Sequence, residues 1–176
     1  DDPVVFTCGA TSREMAAVER RDNHLLVVEA MGLVGPIVLG LSLGLEQDSG
    51  RRVVGVEGDG GMLTNLNALT TIGYLRPENL LLIVLDNEQY ASTGGQPTFT
   101  TRLDLAAIAA ECGLRTWKAD DLESLKQSIA EAANTPGPGF VLMKIAPGNA
   151  SVPFLLEDPV ALAGRFTRWL DSATGK

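Results

Sequence analysis

Two short polar motifs bring together residue types that could bind a divalent cation and a phosphorylated ligand. The first is Gly-Asp-Gly-Gly at 58–61, after a β-rich run, and the second is Asp-Asn-Glu-Gln-Tyr at 86–90, after the most hydrophobic stretch of the chain. Between Gly60 and Asn87 lie the 26 residues 61–86, enough for one helix and one strand. We therefore expect the motifs at the carboxyl ends of neighbouring parallel strands, where such sheets bind ligands.

The residue types in these motifs suit magnesium, which takes about six hard oxygen ligands and often uses one or two carboxylates together with phosphate oxygens. Asp59 would supply a carboxylate oxygen, Asn87 a neutral side-chain oxygen and Gln89 a backbone carbonyl. Oxygens of a diphosphate and a water would complete the octahedron. Gly60 and Gly61 would let backbone N–H groups approach the diphosphate at the positive end of the following helix.

Strands and helices alternate along the rest of the chain and would hold these motifs in one sheet. The pattern predicts strands at 4–7, 25–28, 52–57, 79–85, 114–118 and 140–145. Ser12 is the expected N-cap of the first of six helices, which are predicted at 12–20, 35–45, 65–74, 103–112, 121–134 and 159–170. The alternation predicts an α/β fold in three layers, a parallel sheet with helices on both faces. Because no linker interrupts the pattern, we expect residues 1–176 to form a single domain.

The composition excludes several classes of partner. The 176 residues carry a net charge of −8, so nucleic acid and anionic membrane surfaces are poor partners. Cys8 and Cys112 show no metal-binding spacing and are expected to be free thiols in a reducing, cytoplasmic compartment. No segment approaches the apolar length of a membrane span. His24 is expected at the surface because it follows a polar stretch.

The Gly-Asp-Gly motif and Asn87, at this spacing, resemble the signature of thiamine-diphosphate-dependent enzymes. The resemblance covers most of the chain and is strongest for the sulfopyruvate and phosphonopyruvate decarboxylases, in particular for a separately encoded β subunit. Three further segments carry this stronger match, at 7–14 (Thr-Cys-Gly-Ala-Thr-Ser-Arg-Glu), 76–79 (Arg-Pro-Glu-Asn) and 92–98 (Ser-Thr-Gly-Gly-Gln-Pro-Thr). The resemblance implies the diphosphate-domain fold of these enzymes, with thiamine diphosphate and Mg²⁺ as cofactors.

The resemblance also implies roles for individual residues. Met31 would be the apolar residue that supports the cofactor in its bent conformation, and the backbone carbonyl of Glu29 would accept a hydrogen bond from the aminopyrimidine. These two residues are the ones to which it assigns a catalytic role. The segment 92–96 would lie over the active site. The residues expected to contact the cofactor are Thr11, Ser12, Glu29, Met31, Gly58, Asp59, Gly60, Gly61, Asn87, Gln89, Tyr90, Ala91 and Ser92.

The implied function is that of the β subunit of a 2-oxo acid decarboxylase, which would release CO₂ and an aldehyde. Its substrate would be a three-carbon 2-oxo acid with a second acidic group, such as sulfopyruvate or phosphonopyruvate. In this family a glutamate from the pyrimidine-binding domain activates the cofactor, and neither Glu29 nor Glu57 lies where the resemblance would place it. We therefore expect a separate pyrimidine-domain α subunit, a hetero-oligomer, and no turnover by this chain alone.

Other interpretations of the same residues remain open. The site could serve carboligation of the acetolactate-synthase type, or the chain could be a non-catalytic subunit that retains the fold. Gly58 and Gly60 could belong to a dinucleotide-binding motif, but that motif takes Gly or Ala three residues after its second glycine, and position 63 is Leu. Met31 could be an ordinary core residue. Asp86 could compete for the metal ion, although strand termination and bonds to loop amides are the expected role.

Overall fold

Six strands form one parallel sheet in a computed structural model that describes residues 2–45 and 50–175. In chain order the strands of these described residues are β1 (Val4–Phe6), β2 (His24–Leu26), β3 (Val53–Gly58), β4 (Leu80–Asp86), β5 (Gln89–Tyr90), β6 (Gln96–Pro97), β7 (Arg115–Ala119) and β8 (Gly139–Lys144). The parallel sheet has the order β2-β1-β3-β4-β8-β7, and β5 pairs with β6 as a separate antiparallel hairpin. The carboxyl ends of β3 and β4 therefore lie side by side near the middle of the sheet.

The central position of β4 follows from its composition. Its residues from Leu80 to Leu85 are all apolar. Six of its seven residues are buried, and Leu85 alone is partly exposed. A strand that is apolar at successive positions presents hydrophobic side chains to both faces of the sheet, so it needs cover on both. The edge strand β2 has only three residues, and β7 carries charged side chains that remain exposed.

In the part of the chain that the structure describes, seven α-helices cover the two faces of the sheet: α1 (Ala10–Val18), α2 (Val34–Gly44), α3 (Asp59–Thr64), α4 (Ala68–Leu75), α5 (Leu105–Glu111), α6 (Leu122–Ala133) and α7 (Pro159–Thr174). On one face, side chains of α2 to α5 pack on alternate strand residues such as Leu80, Leu82 and Val84. On the other face, α6 packs against Leu81 and Ile83, while α1 and α7 contribute to a cluster around Phe6 and Leu26. The predicted α/β class, with a parallel sheet between two helical layers, is confirmed.

The start of α1 differs from the prediction that Ser12 is its N-cap. The helix begins at Ala10 after Gly9, whose φ of 83° lies in the left-handed region. Ser12 is buried in the first turn, where its hydroxyl lies 2.7 Å from the Thr7 carbonyl and 3.2 Å from the Val27 carbonyl. The prediction was wrong because Ser12 binds the ends of the neighbouring chain segments, whereas an N-cap binds the helix's own N–H groups.

His24 was expected at the surface, and this prediction was wrong. It is 8% exposed, starts β2, and meets the ring of Phe6 edge-on with the ring centroids 5.1 Å apart. His24 and Leu26 are both buried at alternate positions of β2, whereas the side chain between them is only partly buried. The polar stretch before it masked this alternation, which places the imidazole among apolar side chains.

Helix boundaries otherwise shift by a few residues, with one larger difference. The helix predicted at 65–74 corresponds to α4, which begins at Ala68. The segment before it also contains a helix that was not predicted, α3, which begins directly at Asp59. The last helix also continues beyond its predicted end to Thr174. Gly60 and Gly61 were expected to precede a helix, and here they form the first turn of α3, although glycine disfavours helix interiors.

Candidate metal and cofactor site

The two motifs leave adjacent strands at the same edge of the sheet. Gly58, the last residue of β3, is the register partner of Leu85 in β4. Asp59 then begins α3, and Asn87 follows β4 directly. The prediction that these strand ends are neighbours is confirmed. The role of Asp59 and Asn87 as metal ligands stays a prediction.

Asp59 is a buried carboxylate that is surrounded by hydroxyl groups. Asp59 is only 2% exposed. Its Oδ2 accepts a hydrogen bond from Thr98 Oγ1 at 2.5 Å and a longer one from Thr100 Oγ1 at 3.4 Å. Burial raises the pKa of Asp59, the Thr98 hydroxyl opposes the rise, and the charge of Asp86 adds to it. Within residues 2–45 and 50–175 no cationic side chain forms an ion pair with Asp59.

Asp86, one strand away, has its negative charge balanced by a lysine. Its Oδ2 lies 2.8 Å from Lys144 Nζ, at the end of β8, and its Oδ1 accepts from Glu88 N at 3.0 Å and Thr100 Oγ1 at 2.8 Å. Lys144 also pairs with Glu88 at 2.7 Å. Asp86 therefore accepts a loop amide as expected, and its two oxygens are engaged by the protein.

Asn87 and Gln89 form a tight turn at the end of β4. Asn87 Oδ1 accepts the N–H of Gln89 at 3.0 Å, and Glu88 between them has a φ of 59°, in the left-handed region. An amide oxygen has a second lone pair, so this bond orients the Asn87 side chain and still leaves acceptor capacity for a cation. The ligand roles of Asn87 Oδ1 and of the Gln89 carbonyl stay predictions.

The glycines that follow Asp59 occupy positions where other side chains leave no space. A Cβ built on Gly60 would lie 2.5 Å from the ring of Tyr90 and 3.2 Å from Met31 Cε, while a Cβ on Gly61 would lie 2.1 Å from Glu57 Oε1. The structure thus brings Met31, Gly60 and Tyr90 together. Met31 is 42% exposed, which disfavours the interpretation that it is an ordinary core residue.

The segment that carries Glu29 and Met31 connects β2 with α2 and has a constrained backbone. Glu29 is exposed and has a φ of 56°, which is uncommon for a residue with a side chain. Gly32, with a φ of 78°, accepts a hydrogen bond on its carbonyl from Asn65 Nδ2 at 3.0 Å, after the end of α3. This bond fixes the segment beside the Asp59 turn. The assignment of the Glu29 carbonyl as an acceptor stays a prediction.

The expected diphosphate contacts from α1 and from the hairpin also meet at this edge. A Cβ on Gly9 would lie 2.7 Å from Ser92 Oγ, so the loop after β5 contacts the start of α1. Thr11 is half-buried in the first turn of that helix. Ser12, however, directs both its hydroxyl and its N–H to the Thr7 carbonyl. The geometry gives no support to a contact of Ser12 with the diphosphate.

The sequence predictions missed the contacts that Thr98, Thr100 and Lys144 make at this edge. They also missed the burial of Glu57. Glu57 is 1% exposed, and its Oε1 accepts the N–H of Gly58 at 3.0 Å. Burial raises the pKa of Glu57. No signal in the sequence connects Thr98 and Thr100 to a carboxylate 39 and 41 residues earlier, because the hydroxyl contacts depend on the path of the hairpin.

The residues present fit a hard divalent cation that is bound with a phosphate group. Asp59 is a buried acid that has hydroxyl partners and no cationic partner in the part of the chain that the structure describes, whereas Asp86 beside it has Lys144. A buried charge needs a counter-charge, and oxygens of the carboxylate, amide and carbonyl types suit magnesium. The described residues contain no group of three or more His, Cys, Asp or Glu side chains that are placed to hold a metal ion, so phosphate and water oxygens would have to complete the coordination.

Two cavities elsewhere in the structure give little support to a ligand site. One of about 580 Å³ lies between α4 and the end of α5, lined by Thr70, Gly73, Tyr74, Arg76, Glu111 and Cys112. Another of about 260 Å³ includes Thr100 and Lys144 and lies beside the Asp86 network. Neither is lined by Asp59 or Met31.

The fold is a parallel α/β sheet, a class of protein that binds ligands at the carboxyl ends of its strands, where the glycine-flanked Asp59 lies. Residues 8–143 match the family described as "Thiamine pyrophosphate enzyme, C-terminal TPP binding domain". The chain belongs to this family. No helix in the described part of the chain is long and apolar enough to cross a membrane.

Several curated proteins are similar to this chain over most of its length. A phosphonopyruvate decarboxylase of Streptomyces viridochromogenes is 42% identical over 85% of the chain, which spans only 37% of that protein. The sulfopyruvate decarboxylase subunit beta of Methanothermobacter thermautotrophicus is 37% identical over 99% of the chain and 90% of the subunit. The same subunit of Methanocaldococcus jannaschii is 35% identical over 93% of the chain and 85% of the subunit. The chain is thus comparable in extent to the separate subunits and to less than half of the longer protein.

Solved structures share the fold at low sequence identity. Benzoylformate decarboxylase from Polynucleobacter necessarius matches with a TM-score of 0.72 over 83% of this chain and 30% of that one. A putative thiamin diphosphate-dependent enzyme from Mycobacterium smegmatis matches with a TM-score of 0.67 over 84% of this chain and 29% of that one. Both are 22% identical to the chain, so they show the fold alone.

Proposed function

We propose that this chain is the diphosphate-binding subunit of a thiamine-diphosphate- and Mg²⁺-dependent 2-oxo acid decarboxylase. The observation that carries the proposal is the buried Asp59 at the end of β3, which lacks a cationic partner in the described structure and lies beside the Asn87 turn at the end of β4. The named activities of the similar proteins, sulfopyruvate and phosphonopyruvate decarboxylation, support a 2-oxo acid with a second acidic group as substrate and an aldehyde and CO₂ as products.

Asp59, Asn87 and the Gln89 carbonyl would hold Mg²⁺ on the diphosphate. Gly60 and Gly61 would bring the N–H groups of the first turn of α3 close to the phosphate oxygens, where the helix dipole also favours negative charge. When bound, thiamine diphosphate supplies the electron sink that makes loss of CO₂ from a 2-oxo acid possible. The protein's part in this half of the site is to neutralise the diphosphate and fix its position.

Met31 and Glu29 would orient the rest of the cofactor. Met31 lies next to Gly60, where an exposed thioether could support a bent ligand from below, and the fixed backbone of Glu29 could present its carbonyl to the aminopyrimidine. Holding reacting groups in one geometry lowers the entropic part of the barrier. Tyr90, Ala91 and Ser92 would close the site from the hairpin side.

The activating glutamate would come from a partner subunit with the pyrimidine-binding domain. Glu57 is buried beneath Gly61 and bonded to Gly58, so it is not free to reach a ligand, and Glu29 points from an exposed connection. The names of the similar proteins, which are called subunit beta, support a hetero-oligomer. The assignment of residues 1–176 to a single domain stays a prediction. The cytoplasmic location stays a prediction.

The proposal is tested by co-purifying the chain with candidate pyrimidine-domain subunits and assaying a panel of 2-oxo acids for CO₂, aldehyde and acyloin. We expect aldehyde and CO₂ from the complex with thiamine diphosphate and Mg²⁺, and no turnover by the chain alone. Asp59→Asn should abolish cofactor binding, measured by calorimetry, while the exposed Asp120→Asn should leave it unchanged. Acyloin as the main product would favour the carboligase interpretation, and turnover by the isolated chain would contradict the half-site.

A further inference from the structure

Two threonine hydroxyls connect the acid at the end of β3 with the acid at the end of β4. Thr98 Oγ1 donates to Asp59 Oδ2 at 2.5 Å and lies 2.8 Å from Thr100 Oγ1, which contacts Asp86 Oδ1 at 2.8 Å. Lys144 completes the chain of contacts on the far side of Asp86. All four members from Asp59 to Asp86 are at most 5% exposed, so their hydrogen bonds do not compete with bulk water.

The hairpin holds these hydroxyls in place. Thr98 directly follows β6, and its backbone N–H donates to the Glu88 carbonyl at 2.9 Å, closing the loop that starts after Asn87. Thr100 lies in the short 3₁₀ helix Phe99–Thr101. The same loop that places Asn87 and Gln89 beside the site therefore returns to contact Asp59. A change in the hairpin would reach both sides of the predicted metal site.

The two acids, Asp59 and Asp86, differ in the groups that contact their oxygens. Both oxygens of Asp86 bind protein groups, including Lys144, so this carboxylate needs no further cation. The two threonine hydroxyls, in contrast, both contact Asp59 at the same oxygen, Oδ2. Ligands of a metal ion are commonly oriented by such outer hydrogen bonds, which fix the carboxylate plane and bias which oxygen is available.

We propose that Thr98 is a positioning residue for the metal ligand Asp59, with Thr100 as its support against the Asp86–Lys144 pair. The Thr98 hydroxyl occupies Oδ2 and restricts rotation of the carboxylate, which leaves the other oxygen for the cation. This inference rests on the proposed function of Asp59 as a magnesium ligand. It adds that the hairpin contributes to metal affinity through a hydroxyl that does not itself touch the ion.

The test measures Mn²⁺ affinity in the presence of thiamine diphosphate, by the electron paramagnetic resonance signal of free Mn²⁺. It uses the full chain or its reconstituted complex, whichever binds Mn²⁺. Thr98→Val keeps the shape and removes the hydroxyl, and it should weaken Mn²⁺ binding by about 10–100-fold, as loss of an outer-shell partner does. Thr98→Ser, which restores the hydroxyl, should recover most of the affinity. Thr116→Val, the same change in the middle of β7, is the matched control.

The outcomes separate this inference from the proposed function. If Asp59→Asn destroys Mn²⁺ binding while Thr98→Val binds as tightly as the unchanged protein, Thr98 has no positioning role and the metal site stands. If Asp59→Asn binds Mn²⁺ normally, or the unchanged protein binds none in either form, the proposed site is wrong and this inference falls with it. Should Thr98→Val fail to fold, judged by its thermal midpoint, Thr100→Val must weaken binding in the same direction, and unchanged affinity there would overturn the proposal.

Discussion

Gly61 lies directly over the carboxyl group of Glu57, so that a Cβ at position 61 would come within 2.1 Å of Glu57 Oε1. Glu57 is 1% exposed and is held from below by the N–H of Gly58, which donates to the same oxygen. The first turn of α3 can therefore approach the end of β3 only because residue 61 has no side chain. This close approach also sets where Asp59 and Gly60 stand at the edge of the sheet.

The first prediction is that Gly61→Ala destabilises the protein although alanine favours helices. The added methyl would displace a buried carboxyl group, and overpacking of this kind costs about 1–3 kcal/mol. Gly40→Ala is the matched control, because it lies in α2 with nothing within 4 Å of the added Cβ and should stabilise by about 0.5–1 kcal/mol. Urea unfolding measures both free energies. Equal stability of the two variants would show that the Glu57 carboxyl moves aside freely.

The second prediction concerns the Lys144 ion pair in the metal-free protein. Lys144→Met leaves the buried Asp86 without its cationic partner, and loss of a partner to a buried charged acceptor costs about 1–3 kcal/mol. Lys118→Met is the control, because Lys118 pairs with the half-exposed Asp104, and exposed pairs contribute less than about 1 kcal/mol. Chemical unfolding at neutral pH should show the larger loss for Lys144→Met. A loss of the same size in both variants would contradict the assignment of Lys144 as the counter-charge of Asp86.

The sequence predicted the sheet and the edge of it that carries the site, because those features depend on local periodicity. Continuous apolar residues from 80 to 85 indicate a strand covered on both faces, and the helix and strand between Gly60 and Asn87 require neighbouring strand ends. The cover on both faces is confirmed by the separate clusters around Leu82 and Leu81, and the neighbouring strand ends by the register that pairs Gly58 with Leu85. The role of Met31 under the cofactor was implied by the resemblance alone, and its position beside Gly60 was not predicted.

The contacts that the sequence did not predict join residues far apart in the chain through side-chain geometry. Thr98 meets Asp59 and Lys144 meets Asp86 across long intervals, and nothing in a local pattern specifies which hydroxyl or amine will arrive there. Ser12 was misread for a related reason. A serine near a helix start is typical of an N-cap, but here β1 ends close enough for its carbonyls to accept the hydroxyl.

The third prediction is that His24 makes the stability of the chain depend on pH. Burial lowers the pKa of His24, and the positive charge of Arg21 adds to this effect. The unfolded chain therefore takes up a proton near the ordinary pKa of about 6.5, at a pH where the folded chain does not. Stability from the neutral imidazole is complete above that pH and is lost as the pH falls toward the lower pKa of the folded state.

The measurement compares thermal midpoints of the unchanged protein and of His24→Leu from pH 7.5 to pH 5. Leucine keeps an apolar side chain next to Phe6 and cannot be protonated, so the midpoint of the variant should fall less over this range. Carboxylates titrate in both proteins, so their effect on the thermal midpoint cancels when the two pH dependences are compared. Parallel curves would mean that His24 is protonated in the folded protein without cost, and would contradict the prediction.

The fourth prediction separates the function of Met31 from its contribution to the fold. Met31 and Leu33 flank Gly32 and are both 42% exposed, so Met31→Ala and Leu33→Ala should each change stability by no more than about 0.5 kcal/mol, as surface substitutions do. Only Met31 lies against Gly60 at the edge where the cofactor is proposed to bind. In the complex with its partner subunit, Met31→Ala should lower kcat/KM by about tenfold or more, because misplacement of the cofactor acts on every turnover. Met31→Leu, which keeps an apolar side chain of similar volume, should retain most of the activity. If Met31→Ala and Leu33→Ala have equal activity, Met31 does not support the cofactor, and its position beside Gly60 serves only local packing.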